Sequence, residues 1–113
     1  MSFRQKVFVA FGLFEQPLGL IGYVSLYHLA NEMEILNIAV DSKKRCQGYG
    51  SRLLSQVLDL GKQLSVERVT LEVRPSNVSA RNLYARFGFT QVRIRPCYYP
   101  DTNEDALVYE VTL

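Results

Sequence analysis

The sequence predicts a mixed α/β domain, a mostly antiparallel central sheet with helices packed on it, and three features of the chain say so. Short runs rich in Val, Ile, Phe and Tyr fill both ends of the chain, with turn residues between them. One central stretch, residues 50–64, carries apolar side chains at helical spacing. A short strand pattern at residues 66–73 lies between that helix and a second helical run. Strand–helix–strand crossovers therefore flank it on both sides, and they require a mixed sheet.

In chain order, residues 6–14 alternate weakly and are rich in Phe and Val, as a strand is. Glu15, Gln16 and Pro17 turn the chain. Residues 18–29 read as a longer strand, with Ile21, Tyr23, Ser25 and Tyr27 on one face and Gly22, Val24, Leu26 and His28 on the other. Asn31 and Glu32 make the next turn. Residues 33–40 are a third strand, and the run Ile35, Leu36, Ile38, Ala39, Val40 predicts burial on both of its faces. The connections are too short for crossovers, so these three strands form an antiparallel meander. In the helix that follows, Leu53, Leu54, Val57, Leu58, Leu60 and Leu64 make one apolar stripe, and Gly61 weakens the last turn. The strand at 66–73 turns Val69, Leu71 and Val73 to one face and Arg68, Thr70 and Glu72 to the other. Pro75 ends it. Ser76 or Asn77 caps a second helix that runs to about Phe87, and Gly88 supplies its stop. Residues 89–95 and 106–113 are the last two strands, joined by a loop over 96–105 rich in tyrosine, proline and acid.

The 113 residues suffice for one domain, 1–113, with one core. A net charge of +2 is too small to argue for nucleic acid. No apolar run reaches the roughly 18–20 residues that span a bilayer. The polar start has no signal-peptide pattern. Cys46 and Cys97 make no disulfide framework. The expectation is a cytoplasmic protein with neither nucleic acid nor membrane as partner. The lone histidine, His28, has no cysteine or carboxylate at metal spacing, so it reads as structural or surface and no metal is expected. Lys43, Lys44 and Arg45 precede two glycines and a helix start, where an anion can sit; a solvated basic turn would explain them as well.

Arg45-Cys46-Gln47-Gly48-Tyr49-Gly50 joins a buried strand to a helix. Its glycines let the backbone curl so that several N–H groups point at one spot, and the helix start adds partial positive charge. That is a site for a pyrophosphate. The Gly-Lys-Ser/Thr ending of a Walker loop is absent, and so is a Rossmann Gly-x-Gly-x-x-Gly. What is present, Arg-x-x-Gly-x-Gly, resembles the acetyl-CoA signature of the GNAT superfamily of N-acetyltransferases. A second run, Asn77-Val78-Ser79-Ala80-Arg81-Asn82-Leu83-Tyr84-Ala85-Arg86-Phe87-Gly88-Phe89, is similar to that family's Asn-x-x-Ala-x-x-x-Tyr-x-x-x-Gly-Phe pattern. Together with Leu71-Glu72-Val73-Arg74, Ile38-Ala39-Val40-Asp41 and Tyr98-Tyr99-Pro100, it resembles the ribosomal-protein-alanine N-acetyltransferases, over roughly residues 18–113.

The resemblance implies the GNAT fold and acetyl-CoA as co-substrate, without a metal. It implies transfer of acetyl to a primary amine, foremost a protein N-terminal α-amine such as that of a ribosomal protein. Such a reaction has three demands. The α-ammonium, with a pKa of about 8, must lose a proton. The oxyanion needs a donor. The departing thiolate leaves more readily if protonated. Glu72, near the end of a central strand and partly desolvated there, is the candidate general base; pairing with Arg74 or Arg68 is its structural alternative. Tyr84 is the candidate general acid, placed by its helix beside the sulfur. The Val40 N–H is the candidate oxyanion donor, because in the family this strand diverges from its neighbour. Ile38, Ala39 and Val40 would pair with the pantetheine amides. Arg45, Cys46, Gln47, Gly48, Tyr49, Gly50 and Ser51 would hold the phosphates, and Asn77 and Asn82 further cofactor groups. Cys46 is read as a turn residue rather than a nucleophile. Tyr99 is a candidate acceptor contact.

The resemblance also implies an abbreviated start. Family members usually carry a first strand and two helices ahead of the strand at 6–14, and those elements build one wall of the acceptor site. Acceptor identity therefore stays open among a protein N-terminus, a small-molecule amine and a lysine, and a non-catalytic CoA-binding module is a further reading. An apolar edge strand tends to find a partner, so residues 6–14 predict a homodimer or a separate covering chain.

Overall fold

The computed structural model describes residues 5–17, 19–45 and 47–113. Its elements are β1 (Val7–Glu15), β2 (Gly19–Leu29), β3 (Glu32–Val40), α1 (Tyr49–Gln63), β4 (Arg68–Val73), α2 (Val78–Arg86), β5 (Thr90–Tyr99) and β6 (Glu104–Thr112). The strands make one mixed sheet in the order β1-β2-β3-β4-β6-β5. β1, β2 and β3 form the expected antiparallel meander. α1 then carries the chain to β4, which lies parallel to β3. α2 leads to β5 at the margin, and the β5–β6 hairpin folds back so that β6 fills the place beside β4. β1 and β5 are thus the two outer strands.

The core lies on the α1 face. Val24, Leu26, Met33, Ile35, Val69 and Leu71 from the sheet are buried against Leu53, Leu54 and Val57 of the helix. Each such side chain contributes about 1.5–3 kcal/mol by leaving water. Leu64 drops out of the predicted stripe: it caps α1 and is exposed. Gly61 does not mark a weak turn. It is buried, and a Cβ there would lie 2.7 Å from Leu113 Cδ1 and 3.3 Å from Met33 Sδ, so the glycine lets α1 approach the sheet closely.

Two sequence expectations need correction. β3 is not buried on both faces. Met33 and Ile35 are buried under α1, whereas Glu34, Leu36 and Asn37 are exposed, because no described element packs on the second face. The apolar run reflects instead a bulge: Ser25 pairs with Asn37 but Leu26 with Ile35, which skips Leu36 and resets the alternation. Nor is 96–105 a loop. β5 continues through Pro96 and Cys97 to Tyr99, β6 begins at Glu104, and only 100–103 turn. An outer strand tolerates Pro96, and the register shift between Arg95 and Tyr99 absorbs it. There Cys97 takes φ 50° and donates its N–H to Asp105 Oδ1 at 3.0 Å.

One feature of the sheet positions the site. Pairing of β3 with β4 runs from Glu32–Arg68 to Ile35–Leu71 and stops. Beyond it the two strands part, and their C-terminal halves open a cleft.

Candidate active site

The chain leaves β3 along a held path. Asp41 donates its N–H to Ile21 O at 2.8 Å, and its side chain accepts from Lys43 N at 2.9 Å, starting a single 3₁₀ turn at Ser42–Lys44. Gly48 then stands at the N-cap of α1 with φ 84°. A Cβ there would meet nothing within 4 Å, so the left-handed backbone, not lack of room, is what calls for glycine. No side chain caps this helix start. The first-turn amides of an α-helix have no intrahelical acceptor, and the helix dipole adds positive potential beside them. Glu15, at the end of β1, braces the turn by accepting from Lys44 Nζ at 3.4 Å and from the Tyr49 hydroxyl at 3.2 Å.

α2 runs beside this start. Asn77, not Ser76, is its cap: Asn77 Oδ1 accepts from Ala80 N at 3.2 Å, while the Ser76 hydroxyl donates to Glu104 Oε1 at 2.9 Å. Arg81 pins the helix by donating to Pro75 O at 3.0 Å and to the Tyr109 hydroxyl at 3.2 Å. A Cβ on Gly50 would stand 3.3 Å from Leu83 Cδ2, so glycine keeps α1 and α2 close there.

Between the freed end of β3, the α1 start and α2 lies a groove of about 830 Å³. Ile38, Ala39, Val40, Arg45, Gly48, Tyr49, Gly50, Ser51, Asn77, Asn82 and Tyr84 all line it, as the motifs predict. Gln47 does not: its side-chain amide donates to Lys43 O at 3.5 Å. Cys46 lies outside the described residues. Lys44, part of the basic run before the turn, lines the groove too, whereas sequence reasoning missed Ser79, Ala80, Leu83 and Arg86 as lining residues. The spacing 79, 82, 83, 86 is one helical face, and that signal was available. Tyr84 is buried between Phe89 and Tyr109, with ring centroids 5.8 and 6.3 Å away. Burial pushes its hydroxyl above the ordinary tyrosine pKa, with the nearby Tyr99 adding to the shift.

Glu72 is on the other face of the sheet. Strand alternation carries Thr70 and Glu72 away from the helices, into a cavity of about 270 Å³ shared with Glu34, Leu36, Arg93, Arg95, Tyr98, Tyr99 and Val108. Its partner is neither Arg74 nor Arg68. Arg68 is engaged by Glu32 and, at 3.6 Å, by Glu110; Arg74 is engaged by Asp101 at 2.9 Å and Thr102 at 3.1 Å. Arg95, from β5, donates instead to Glu72 Oε1 at 2.6 Å. Arg95 stacks on Tyr98 with its Cζ 4.1 Å from the ring centre, and Arg74 stacks on Tyr99 at the same 4.1 Å. Tyr98 and Tyr99 meet edge to face at 5.1 Å. Tyr99 titrates above its ordinary value, chiefly through burial and next through the charge of Glu72. Asp101 is held below the usual carboxylate range by its bond to Arg74, and Glu104 by its bond to Ser76.

The predicted base and acid thus occupy separate cavities on opposite faces. Both linings take residues of β3, Leu36 for one and Ile38 for the other, beyond the point where its pairing with β4 stops. His28 bonds the Ala30 carbonyl at 3.0 Å. No group of three or more His, Cys, Asp or Glu suited to a metal ion exists among the described residues. Among them, no helix is long and apolar enough to cross a membrane.

A sheet that opens between two parallel neighbours, a glycine turn that delivers a bare helix start into the opening, and a capped helix alongside define an acyl-CoA-type transferase fold. The family model described as Acetyltransferase (GNAT) family matches residues 4–89, and the chain belongs to that family. Its relatives narrow the class. It is 41% identical over 80 residues to the [Ribosomal protein bS18]-alanine N-acetyltransferase of Escherichia coli (strain K12), a match covering 69% of this chain and 54% of that protein. The crystal structure of the ribosomal-protein-S18-alanine N-acetyltransferase from Escherichia coli superposes with a TM-score of 0.86 at 32% identity, covering 93% of this chain and 68% of that one. A Bacillus anthracis (strain Ames) acetyltransferase solved in complex with acetyl coenzyme A superposes with a TM-score of 0.82 at 25% identity, covering 94% and 62%. The chain spans between about half and two thirds of the length of the curated relatives it matches.

Proposed function

We propose that this protein, as one domain over residues 1–113, transfers acetyl from acetyl-CoA to a protein N-terminal α-amine by direct attack within a ternary complex. The observation that carries the reading is the groove in which the α1 start, with Gly48 in the left-handed conformation, faces the freed end of β3 and Tyr84. First-turn amides with no intrahelical acceptor suit a pyrophosphate, and Lys44, Arg45 and Arg86 on the rim suit its charge. The backbone of Ile38, Ala39 and Val40 would pair with the pantetheine amides, and Asn77 and Asn82 would bind further groups of the cofactor.

The acceptor would enter by the Glu72 cavity, along Tyr99. Glu72 takes a proton from the acceptor ammonium, directly or through a water. The amine nitrogen attacks the thioester carbonyl, and the Val40 N–H stabilises the oxyanion. As the C–S bond breaks, the attached nitrogen gives up its second proton to solvent and the Tyr84 hydroxyl gives its proton to the sulfur; Tyr84 later regains a proton from solvent and Glu72 releases the one it took. One amide and one thiol are formed, with net release of one proton. Relatives named for alanine N-acetylation of a ribosomal protein support an N-terminal acceptor and a cytoplasmic setting. β1, an outer strand, is the surface through which a second copy would pair.

The test is incubation of the purified chain with acetyl-CoA and a panel of N-terminal peptides, lysine peptides and small amines, following free thiol and acceptor mass. An N-terminal peptide that gains acetyl supports the reading. Acetylation confined to lysine or small amines overturns the acceptor. Binding of acetyl-CoA without thiol release overturns catalysis. Glu72→Gln should lower turnover about 10²- to 10⁴-fold near neutral pH while acetyl-CoA affinity stays nearly intact.

A further inference from the structure

We propose that Arg95 is a positioning residue for Glu72, and that it carries the conformation of the 100–103 turn to that base. The role rests on the acetyl-transfer reading above.

A glutamate on an open sheet face has three rotatable bonds and no reason to point one way. Here one of its oxygens is taken: Arg95 Nη1 lies 2.6 Å from Oε1. That single bond restrains the carboxylate and leaves Oε2 without a hydrogen-bond partner among the described residues. A base that is itself oriented by a third group is the recurring logic of activated nucleophiles.

The pair alone would not hold this geometry. Both side chains are partly exposed, 49% for Arg95 and 28% for Glu72, and solvent weakens an exposed ion pair. The Tyr98 ring, 4.1 Å from the Arg95 Cζ, supplies the second restraint. Contacts then continue without a gap. Tyr98 meets Tyr99 at 5.1 Å, Tyr99 lies 4.1 Å from the Arg74 Cζ, and Arg74 bonds Asp101 and Thr102 in the turn. Of the other charged groups around the cavity, Glu34 comes from β3 and Arg93 from β5, and neither bonds Glu72; Glu110 of β6 lies opposite Thr70 and is drawn to Arg68. Arg95 is therefore the side chain that joins base to turn. An acceptor that lies on Tyr98 and Tyr99 acts on Arg95, and through it on Glu72.

Steady-state kinetics of the full chain test this with Arg95→Gln, Arg95→Lys, Glu72→Gln and the Glu72→Gln/Arg95→Gln double variant. Arg95→Gln should lower kcat about 10- to 100-fold, the usual loss for a group that orients a reacting residue, with KM for acetyl-CoA unchanged. Arg95→Lys should regain part of the rate. The double variant should be no slower than Glu72→Gln alone, because nothing remains to be oriented. Should Arg95→Gln fold poorly by thermal melt, Tyr98→Leu reads the same relay: a smaller kcat loss that disappears when Glu72 is already Gln. Arg95→Gln with wild-type kcat, or losses that multiply in the double variant, overturns the positioning role alone. Wild-type protein that releases no thiol with any amine overturns the acetyl-transfer reading, and this role with it.

Discussion

The groove on the helix side of the sheet is shaped by a glycine turn and the parting of β3 from β4, whereas the cavity on the opposite side is shaped by side chains reaching across strands. In the groove, Gly48, Gly50 and the end of β3 act through backbone conformation and close approach. In the cavity, Glu72, Arg95, Tyr98, Tyr99 and Arg74 act through ion pairs and stacking. The first kind of site depends on backbone conformation, so a side chain at Gly48 is strained even though its Cβ would meet nothing within 4 Å. The second is adjustable, and its members fall by degrees. That difference predicts abrupt loss on substitution in the groove and graded loss in the cavity.

The sharpest break in this contrast is Gly48→Glu. It puts a side chain at φ 84° and a negative charge at the helix start, so calorimetry should register no acetyl-CoA binding. Retained affinity would move the phosphate site elsewhere. Tyr84→Phe should reduce turnover about 10²-fold with binding and melting little changed. Wild-type activity should show no alkaline fall from this group below about pH 10, since burial pushes the hydroxyl upward. The sign for stability follows: the folded tyrosine holds its proton more tightly, so its contribution is complete below about pH 10 and is lost as pH rises through the folded value.

Gly22→Ala sharpens the contrast by touching the groove from behind. Its Cβ would stand 2.9 Å from Ala39 O, a backbone atom of β3, and 3.2 Å from Leu53 Cδ1. Overpacking of this kind costs about 1–3 kcal/mol, and a shifted Ala39 should weaken acetyl-CoA as well; denaturant midpoints and calorimetry read the two effects. The smallest effect is acidic. Asp101 and Glu104 have lowered folded values, so the contacts they make are present above the ordinary carboxylate range and are lost as pH falls through them. Below about pH 4, NMR signals of Tyr98 and Tyr99 should shift while those of Tyr84 stay.

What the sequence revealed divides along the same line. The starts of α1 and α2 were legible because glycines, a cap and helical spacing are local codes. Val69, Leu71 and Val73 were readable from alternation in the same way. Arg95 was not, since its partner is 23 residues away and is set by β6 sliding between β4 and β5. The Leu36 bulge was also hidden: one skipped residue turns an apolar run from doubly buried to half exposed, and no residue type announces it. The face 79, 82, 83, 86 of α2 follows from helical spacing around Asn82.

Glu15 stands at the last position of the outermost strand, yet it grips both Lys44 and Tyr49. Its carboxylate thus ties the α1 end of the groove to the margin of the sheet. A displacement of that margin therefore pulls on the turn that opens α1.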